Sequence, residues 1–479
     1  MIDSGLQLEM NFDGSINRFQ TCLDNGVFVM LVEHNSPGKD TDPALAGERL
    51  AELEYGILNI NELPTGLAIT DKYAFLDSWG AAEYASSLST ESRDRHVIYL
   101  SGRNSSLDEF ADAASFCAAS GFSNVVPVTG DSLPGEGFKE TRRRNFTESI
   151  HGIQHLSQHK YPFFAGCAVN PFKYTAPDLF TQYFKLVKKV NCGAKFVVTQ
   201  LGWDMMKLQA LRWYLSYRGM HYPTIARLML LTPERVSSII GNRYPGVHIT
   251  PAFQSLLEKE LKFSYNQFEA AQWRRLELQA AGCRLIGYSG IQVAGLDTAD
   301  KIRIAARRVA SALNEFTSFE HWVHEYQEYM ARVEMAPSHN SFYMFDRLLT
   351  TAHLDGTPKM KEGTKLPLDK GEKFNYNLKK FMFPHTDRQN PGEHLIMKKL
   401  LAGCRDCSSC RLPKTFYICP EQCPKGLANG PCGGTKIDGT CELGAMECIH
   451  SKMMRLAVWL NQVDSLEEQI IPPVTRRLR

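Results

Sequence analysis

The chain is predicted to be an α/β protein, a (β/α)8 TIM barrel followed by a small cysteine-rich domain. Two observations predict this. Short apolar runs alternate with helix-like stretches eight times over about the first 290 residues, and eight of the 13 cysteines crowd between Cys404 and Cys448. A chain of 479 residues exceeds what one hydrophobic core fills, so more than one domain is expected.

The runs lie at 28–35, 67–70, 96–102, 124–131, 161–170, 194–201, 224–231 and 284–291. They are apolar without alternation, as strands buried on both faces of a parallel sheet must be. Between them, stretches such as 105–121 and 176–193 place apolar residues at helical spacing and end in Gly. Strand and helix repeated eight times close into a barrel. An open doubly wound sheet would show the same alternation. Residues 298–335 read as a long helix that closes the barrel. From Ala336 to about Gly392 Gly, Pro and Lys dominate, suggesting a surface linker or partner-binding excursion. The expected divisions are a barrel over 1–315, a helical connection and linker over 316–397, and the cysteine-rich domain over 398–479, with a helix near 451–469 before a basic tail.

Charge narrows the partners. With 54 Lys+Arg against 52 Asp+Glu, the balanced surface lacks the footprint of a protein bound to nucleic acid or anionic membrane, so a small molecule is the better expectation. No basic leader precedes an apolar stretch and no window approaches the roughly 18 apolar residues of a span, which places the chain in the cytoplasm. In a reducing compartment clustered cysteines bind metal more often than they form disulfides. A homo-oligomer is expected.

Barrel enzymes carry their chemistry at the C-terminal strand ends. Here those ends offer Glu33, Asp71, Ser101 with Arg103, Gly130 with Asp131, and Gln200. A carboxylate desolvated at such an end can act as a general acid near neutrality, while a second orients a polar ligand. Each alone is as readily a helix cap or an Arg partner.

The strings VEHNSPG, VTGDSLPG and GAKFVVTQLGWD occur in this order within residues 25–300. Together they resemble the methylenetetrahydrofolate reductase family. In that family a flavin passes hydride to the methylene carbon bridging N5 and N10 of tetrahydrofolate. The resemblance implies that Glu33 is the acid that protonates N10, that Asp131 binds the pterin and tunes the flavin, and that Gln200, with Asp71, holds the folate. It places Tyr99, Ser101, Arg103, Thr129, Gly130, Lys185 and Lys188 beside the flavin, FAD or FMN. Several of these depart from the family pattern. Tyr99 stands where members often carry His, Thr129 where they carry Arg, and Gln182, Lys185 and Lys188 replace the family's Asp, Asn and Arg. Lys185, Lys188 and Lys189 suit phosphates or, equally, a solvated helix face. No GxGxxG follows a strand, so NAD(P)H would have to dock directly on the flavin. The leading expectation is flavin-dependent reduction of 5,10-methylenetetrahydrofolate to 5-methyltetrahydrofolate, or its reverse. The alternative, suggested by the altered flavin positions, is a flavin-free tetrahydrofolate-dependent methyltransferase or demethylase on the same barrel.

The candidate metal ligands are Cys404, Cys407, Cys410, Cys419, Cys423, Cys432, Cys441 and Cys448. Eight thiols suffice for two four-ligand sites, and a CxxCxxC run accepts either a [4Fe-4S] cluster or zinc. The string from Ile418 to Leu443 is similar to the C-terminal domain fused to or complexed with these reductases. That resemblance implies zinc or iron–sulfur centres and electron input, with an electron-transfer protein as a possible partner. The alternative is a structural metal knot stapling a domain without a core of its own. Cys22, Cys117, Cys167, Cys192 and Cys283 read as core residues, Cys167 on the fifth strand being the one to check for another role. Trp203 and Trp213 read as core or as platforms for a ring ligand.

Overall fold

The computed structural model describes residues 17–71, 78–133, 135–361, 366–384, 395–405, 407 and 409–474. Eight strands, β1 (Val29–Asn35), β2 (Thr65–Thr70), β3 (Val97–Ser101), β4 (Asn124–Val128), β5 (Phe164–Val169), β6 (Phe196–Leu201), β7 (Thr224–Met229) and β8 (Gly290–Ala294), pair in chain order and all parallel. β8 closes on β1, with Val29 opposite Gly290 and Val32 opposite Val293. The predicted barrel is present. Its eighth strand lies later than 284–291, because the helix Tyr265–Leu285 runs through Arg284 and Leu285 before Gly287 turns the chain at φ +94°.

Strand periodicity sends alternate side chains inward, where they stack in layers. At the base, Phe164 and Phe196 stack with centroids 5.1 Å apart, and Phe19 of the helix Arg18–Asp24 meets Phe196 edge-on at 5.3 Å. Gly166 is obligatory beside them, since a Cβ there would lie 2.4 Å from the Phe196 ring. Leu31, Ala68, Val126, Val198 and Ile225 belong to the same inner cluster. Two residues beyond Leu31 on the same strand face, the apolar lining gives way to polarity: Glu33, Tyr99, Gln200, Arg227 and Gln292 are joined by hydrogen bonds at the upper end.

The expected single helix over 298–335 is two, Ala299–Glu315 and Phe319–Tyr329. Ser318 breaks them by capping the second through the His321 amide. The region expected as a surface linker also differs. Met344, Phe345 and Leu348 are buried against the helix Met205–Tyr217, and the Leu349 amide donates to Gln209 (2.7 Å). These apolar residues, scattered among Gly and Lys, make a packed strap of 342–349. The helix Lys370–Met382 follows, opened by an Asp369–Glu372 capping box. Residues 362–365 and 385–392 of the expected linker lie outside the described residues.

The cysteine-rich region is built from turns and the helices Leu395–Ala402, Ile449–Leu460 and Val463–Glu468. It does have a core: Phe383, Leu412, Phe416, Ile449, Met453 and Ala457 cluster with Phe184 of the barrel helix Ala176–Asn191.

Candidate active site at the barrel mouth

A cavity of about 180 Å³ opens at the C-terminal strand ends. Of the residues expected there, Asp71, Tyr99, Ser101, Thr129, Gly130, Asp131, Gln200 and Lys185 line it. Three do not line it. Glu33 is bonded to Arg227 and Gln292, which do line it, Arg103 is buried with its guanidinium donating to the Asp131 carbonyl (2.9 Å), and Lys188 lies over the Phe184 ring at 5.6 Å.

Glu33 is held from several directions. Arg227 of β7 donates to both carboxylate oxygens (2.5 Å each), and Gln292 of β8 adds a third bond at 2.7 Å. Arg227 also donates to Gln200 Oε1 (2.8 Å), while the Tyr99 hydroxyl donates to Gln292 Oε1 (2.6 Å). Glu33 and Gln200 are thus bridged by one guanidinium. A fork geometry suits two carboxylate oxygens, which a lysine could not match. Arg227 and Gln292 were missed in the sequence, although a charge and an amide inside apolar runs were the available signal.

The strand-4 end depends on glycine. Gly130 has φ +85°, and a Cβ would lie 2.4 Å from Ser101 Oγ and 2.8 Å from Arg103 Cβ. The turn delivers Asp131 to the cavity, into which 42% of its side chain is exposed. Enclosure by the two domains raises its carboxyl above the ordinary range, with Lys425 and Arg103 opposing and Glu442 adding to the rise. Asp71 is fixed by accepting from the Ser101 amide (3.0 Å).

The cysteine-rich region supplies the other wall. Pro431, Cys432 and Gly433 line the cavity beside Lys185 and Gln182. Lys185 Nζ donates to the carbonyls of Gly430 (3.1 Å) and Pro431 (2.8 Å). Asn170 Nδ2 donates to Gly433 O (2.8 Å), and Lys173 Nζ to Thr435 O (2.8 Å). The buried Glu148 carboxylate accepts from the Ala428 and Asn429 amides (2.8 and 3.1 Å). Burial alone would raise Glu148, but Lys185, His151 and these amides hold it below its ordinary value.

The lysines of Ala176–Asn191 are therefore no solvated face. Lys185, Lys188 and Lys189 are all buried, and burial pushes Lys188 down to about 8 and Lys189 to about 7. Lys189 donates to the Ala168 carbonyl (2.5 Å). Trp203 packs near Phe253 and Trp213 near Phe345, both as core. Cys167 is buried, its thiol pushed up to about 11.

Two family models match the chain, one described as Methylenetetrahydrofolate reductase over residues 48–259 and one as Methylene-tetrahydrofolate reductase C terminal over 383–477. Together they span more than half of its length. The chain belongs to the methylenetetrahydrofolate reductase family. No curated protein matches it. Among solved structures, one described as "Uncharacterized protein from Clostridium thermocellum binds two copies of 5-methyl-5,6,7,8-tetrahydrofolic acid" is 15% identical, with 61% of this chain and 98% of that one covered at a TM-score of 0.46.

As a reductase-family barrel, the site fits a flavin poorly. Of the positions expected to hold one, Lys185 is committed to Gly430 and Pro431, Arg103 to a barrel carbonyl, and Lys188 faces a ring.

The cysteines fit metal by donor chemistry and by grouping. Among the described residues no three His, Cys, Asp or Glu side chains are arranged as a finished metal site. Their mutual electrostatics nevertheless sort them. Cys419 feels Cys404 and Cys407, and Cys407 feels Cys410; Cys448 feels Cys432 and Cys423, and Cys441 feels Cys423. Beside the first group, Lys398 is buried with no partner for its ammonium among the described residues, and its carbonyl accepts from the Cys404 amide. A buried cation without an anion fits a neighbouring group of thiolates. Among the described residues no helix is long and apolar enough to cross a membrane.

Proposed function

We propose that this barrel binds a reduced folate at its mouth and acts on the folate's one-carbon group as a tetrahydrofolate-dependent methyltransferase or demethylase, without a flavin in this mouth. The observation that carries the reading is the 430–433 segment, which walls the cavity and takes up the ammonium of Lys185, one of the positions the resemblance gives to the flavin. Asp131 offers carboxylate oxygens suited to the N–H edge of an aminopyrimidine ring, while Gln200, whose Oε1 already accepts from Arg227 and from the Leu201 amide, offers its Nε2 as a donor. When a methyl group leaves N5 for a nucleophile, the C–N electron pair stays on nitrogen and is stabilised by a proton. A carboxylate engaged with that edge lies across the pterin from N5, so the proton that N5 takes up comes from solvent at the mouth. Gln200 is oriented by Arg227, which lowers the entropy cost of presenting it.

A second reading, flavin-dependent reduction of 5,10-methylenetetrahydrofolate or its reverse, is favoured by Glu33, which sits at the strand-1 end expected of the acid. It requires Glu33 to release an Arg227 bond to reach N10, and the 430–433 segment to yield space. The two metal sets, Cys404, Cys407, Cys410 and Cys419, and Cys423, Cys432, Cys441 and Cys448, would hold zinc or an iron–sulfur centre in either case.

The test is the full chain purified without oxygen. The first reading expects 5-methyltetrahydrofolate to bind in calorimetry, no flavin bands at about 370 and about 450 nm, and no saturable uptake of FAD or FMN. Flavin retained at one per chain would overturn it in favour of the second. No binding of any reduced folate would overturn both.

A further inference from the structure

The cysteine-rich region does more than cover the mouth. Lys425, two residues after Cys423, buries its side chain against the strand-4 end of the barrel, where only 1% of it remains exposed. Its ammonium donates to the Gly130 carbonyl (3.1 Å), pairs with Glu442 (2.6 Å), and lies 3.9 Å from Asp131 Oδ1. The Phe146 ring lies 5.6 Å from it. The Gly130–Asp131 turn is the strand-4 element that carries the cavity's carboxylate, so one ammonium from the second domain touches both its backbone and its side chain.

Charge balance explains why that contact matters. Asp131 and Glu442 are carboxylates of different domains that share one cation. Remove it, and two negative groups face each other beside Cys432 and Gly433 without the ammonium that lies between them. Arg103 and Arg227 also favour the charged form of Asp131, but each acts on it less than Lys425 does. The turn would lose its carbonyl partner at the same time, and with φ +85° at Gly130 it has alternative conformations open to it.

We infer that Lys425 is a positioning residue of the folate site: the cysteine-rich domain completes the site from outside the barrel by fixing Asp131 toward the ligand. The inference rests on the folate reading given above. It makes the ligand site a two-domain structure, so that displacement of the cysteine-rich domain weakens folate binding without any change in the barrel sequence.

Lys173 provides the control. It too ties the domains, through Thr435 O, and it pairs at 3.9 Å with Asp178 of its own domain, but it does not line the cavity or touch Asp131. Calorimetric titration of the full chain with 5-methyltetrahydrofolate is run on wild type, Lys425→Met, Lys425→Arg and Lys173→Met. Lys425→Met is expected to weaken binding about tenfold or more, Lys425→Arg to recover most of it, and Lys173→Met to change it by less than about threefold. Equal losses in Lys425→Met and Lys173→Met would reduce Lys425 to a docking contact and overturn the inference, as would unchanged binding in Lys425→Met. A ligand-free arm separates this from failure of the folate reading. Hydrogen exchange of the 124–133 segment should quicken in Lys425→Met, recover in Lys425→Arg and stay unchanged in Lys173→Met. If wild type binds no folate, the folate reading falls, and the exchange pattern alone decides whether Lys425 fixes the turn.

Discussion

Replacing Arg227 by Met would leave the Glu33 carboxylate, whose side chain is only 6% exposed, with a single remaining side-chain donor among the described residues, Gln292. Arg227 makes two bonds to Glu33 and one to Gln200. Removing one member of a buried pair typically costs about 3–5 kcal/mol, because the other charge stays desolvated. The guanidinium here is partly exposed, at 21% of its side chain, so the lower end of that range, about 3 kcal/mol, is expected. Glu33→Gln should cost less, about 1–2 kcal/mol, since an amide oxygen still accepts and Arg227 keeps Gln200. The double variant Glu33→Gln/Arg227→Met should be more stable than the sum of the two losses, by about 1–2 kcal/mol, because neither isolated charge remains. Urea unfolding followed by circular dichroism gives the three differences, read from shifts in midpoint at constant slope. Strict additivity, or a loss below about 1 kcal/mol for Arg227→Met, would refute the view that these two residues form one buried unit.

Gly130→Ala should lower stability by about 1–3 kcal/mol and weaken folate binding together, since the strand-4 turn can neither keep φ +85° nor accept a Cβ 2.4 Å from Ser101; thermal melts and calorimetry check it. Glu148→Gln should loosen the 427–429 segment by removing a charged acceptor from two amides, and limited proteolysis should then cut near 420–435 sooner. His96 should make the fold acid-sensitive. Burial lowers its pKa from 6.5 to about 3, and its Nδ1 accepts from the Leu67 amide, which requires the neutral ring. Above pH 6.5 both folded and unfolded rings are neutral; as pH falls toward 3 only the unfolded ring takes up a proton, so stability is lost, by about 2 kcal/mol between pH 6.5 and 5. His96→Gln should flatten that part of a stability–pH curve, and an unchanged slope would remove His96 as its source.

The barrel was legible because burial on both faces writes itself as unbroken apolar runs. Only the eighth run misled, where Ile286 and Tyr288 extend an apolar pattern beyond a helix that local hydrogen bonding continues to Leu285. That Asp131, Gln200 and Asp71 would meet at the cavity was legible because they end such runs, and the ends of parallel barrel strands open on one mouth. Arg227 and Gln292 were not, since their meaning lies in a partner more than 190 residues away on β1. The lysines at 185, 188 and 189 were equally opaque. At helical spacing a charge facing a second domain reads the same as a charge facing water, and only the fold reveals which carbonyls it meets.

Those lysines bear on how the two domains depend on each other. A buried ammonium is costly unless acceptors replace its water, and burial holds both Lys188 and Lys189 well below the ordinary lysine value. Lys185 finds its acceptors in Gly430 and Pro431, and the Ala428 and Asn429 amides find theirs in Glu148. Each side thus holds charges or amides that the other satisfies. Separation would expose Lys185 and Glu148 to water, which relieves their desolvation, but it would strip the cavity of the wall formed by Pro431, Cys432 and Gly433. The polar ties add to an apolar one, since Phe184 of the barrel packs into the cysteine-rich core, so separation would expose apolar surface as well as charge. A ligand held between Gln200 and that wall favours the closed state by the free energy of the contacts it makes there, and by the same linkage anything that alters the cysteine-rich domain alters the ligand's affinity.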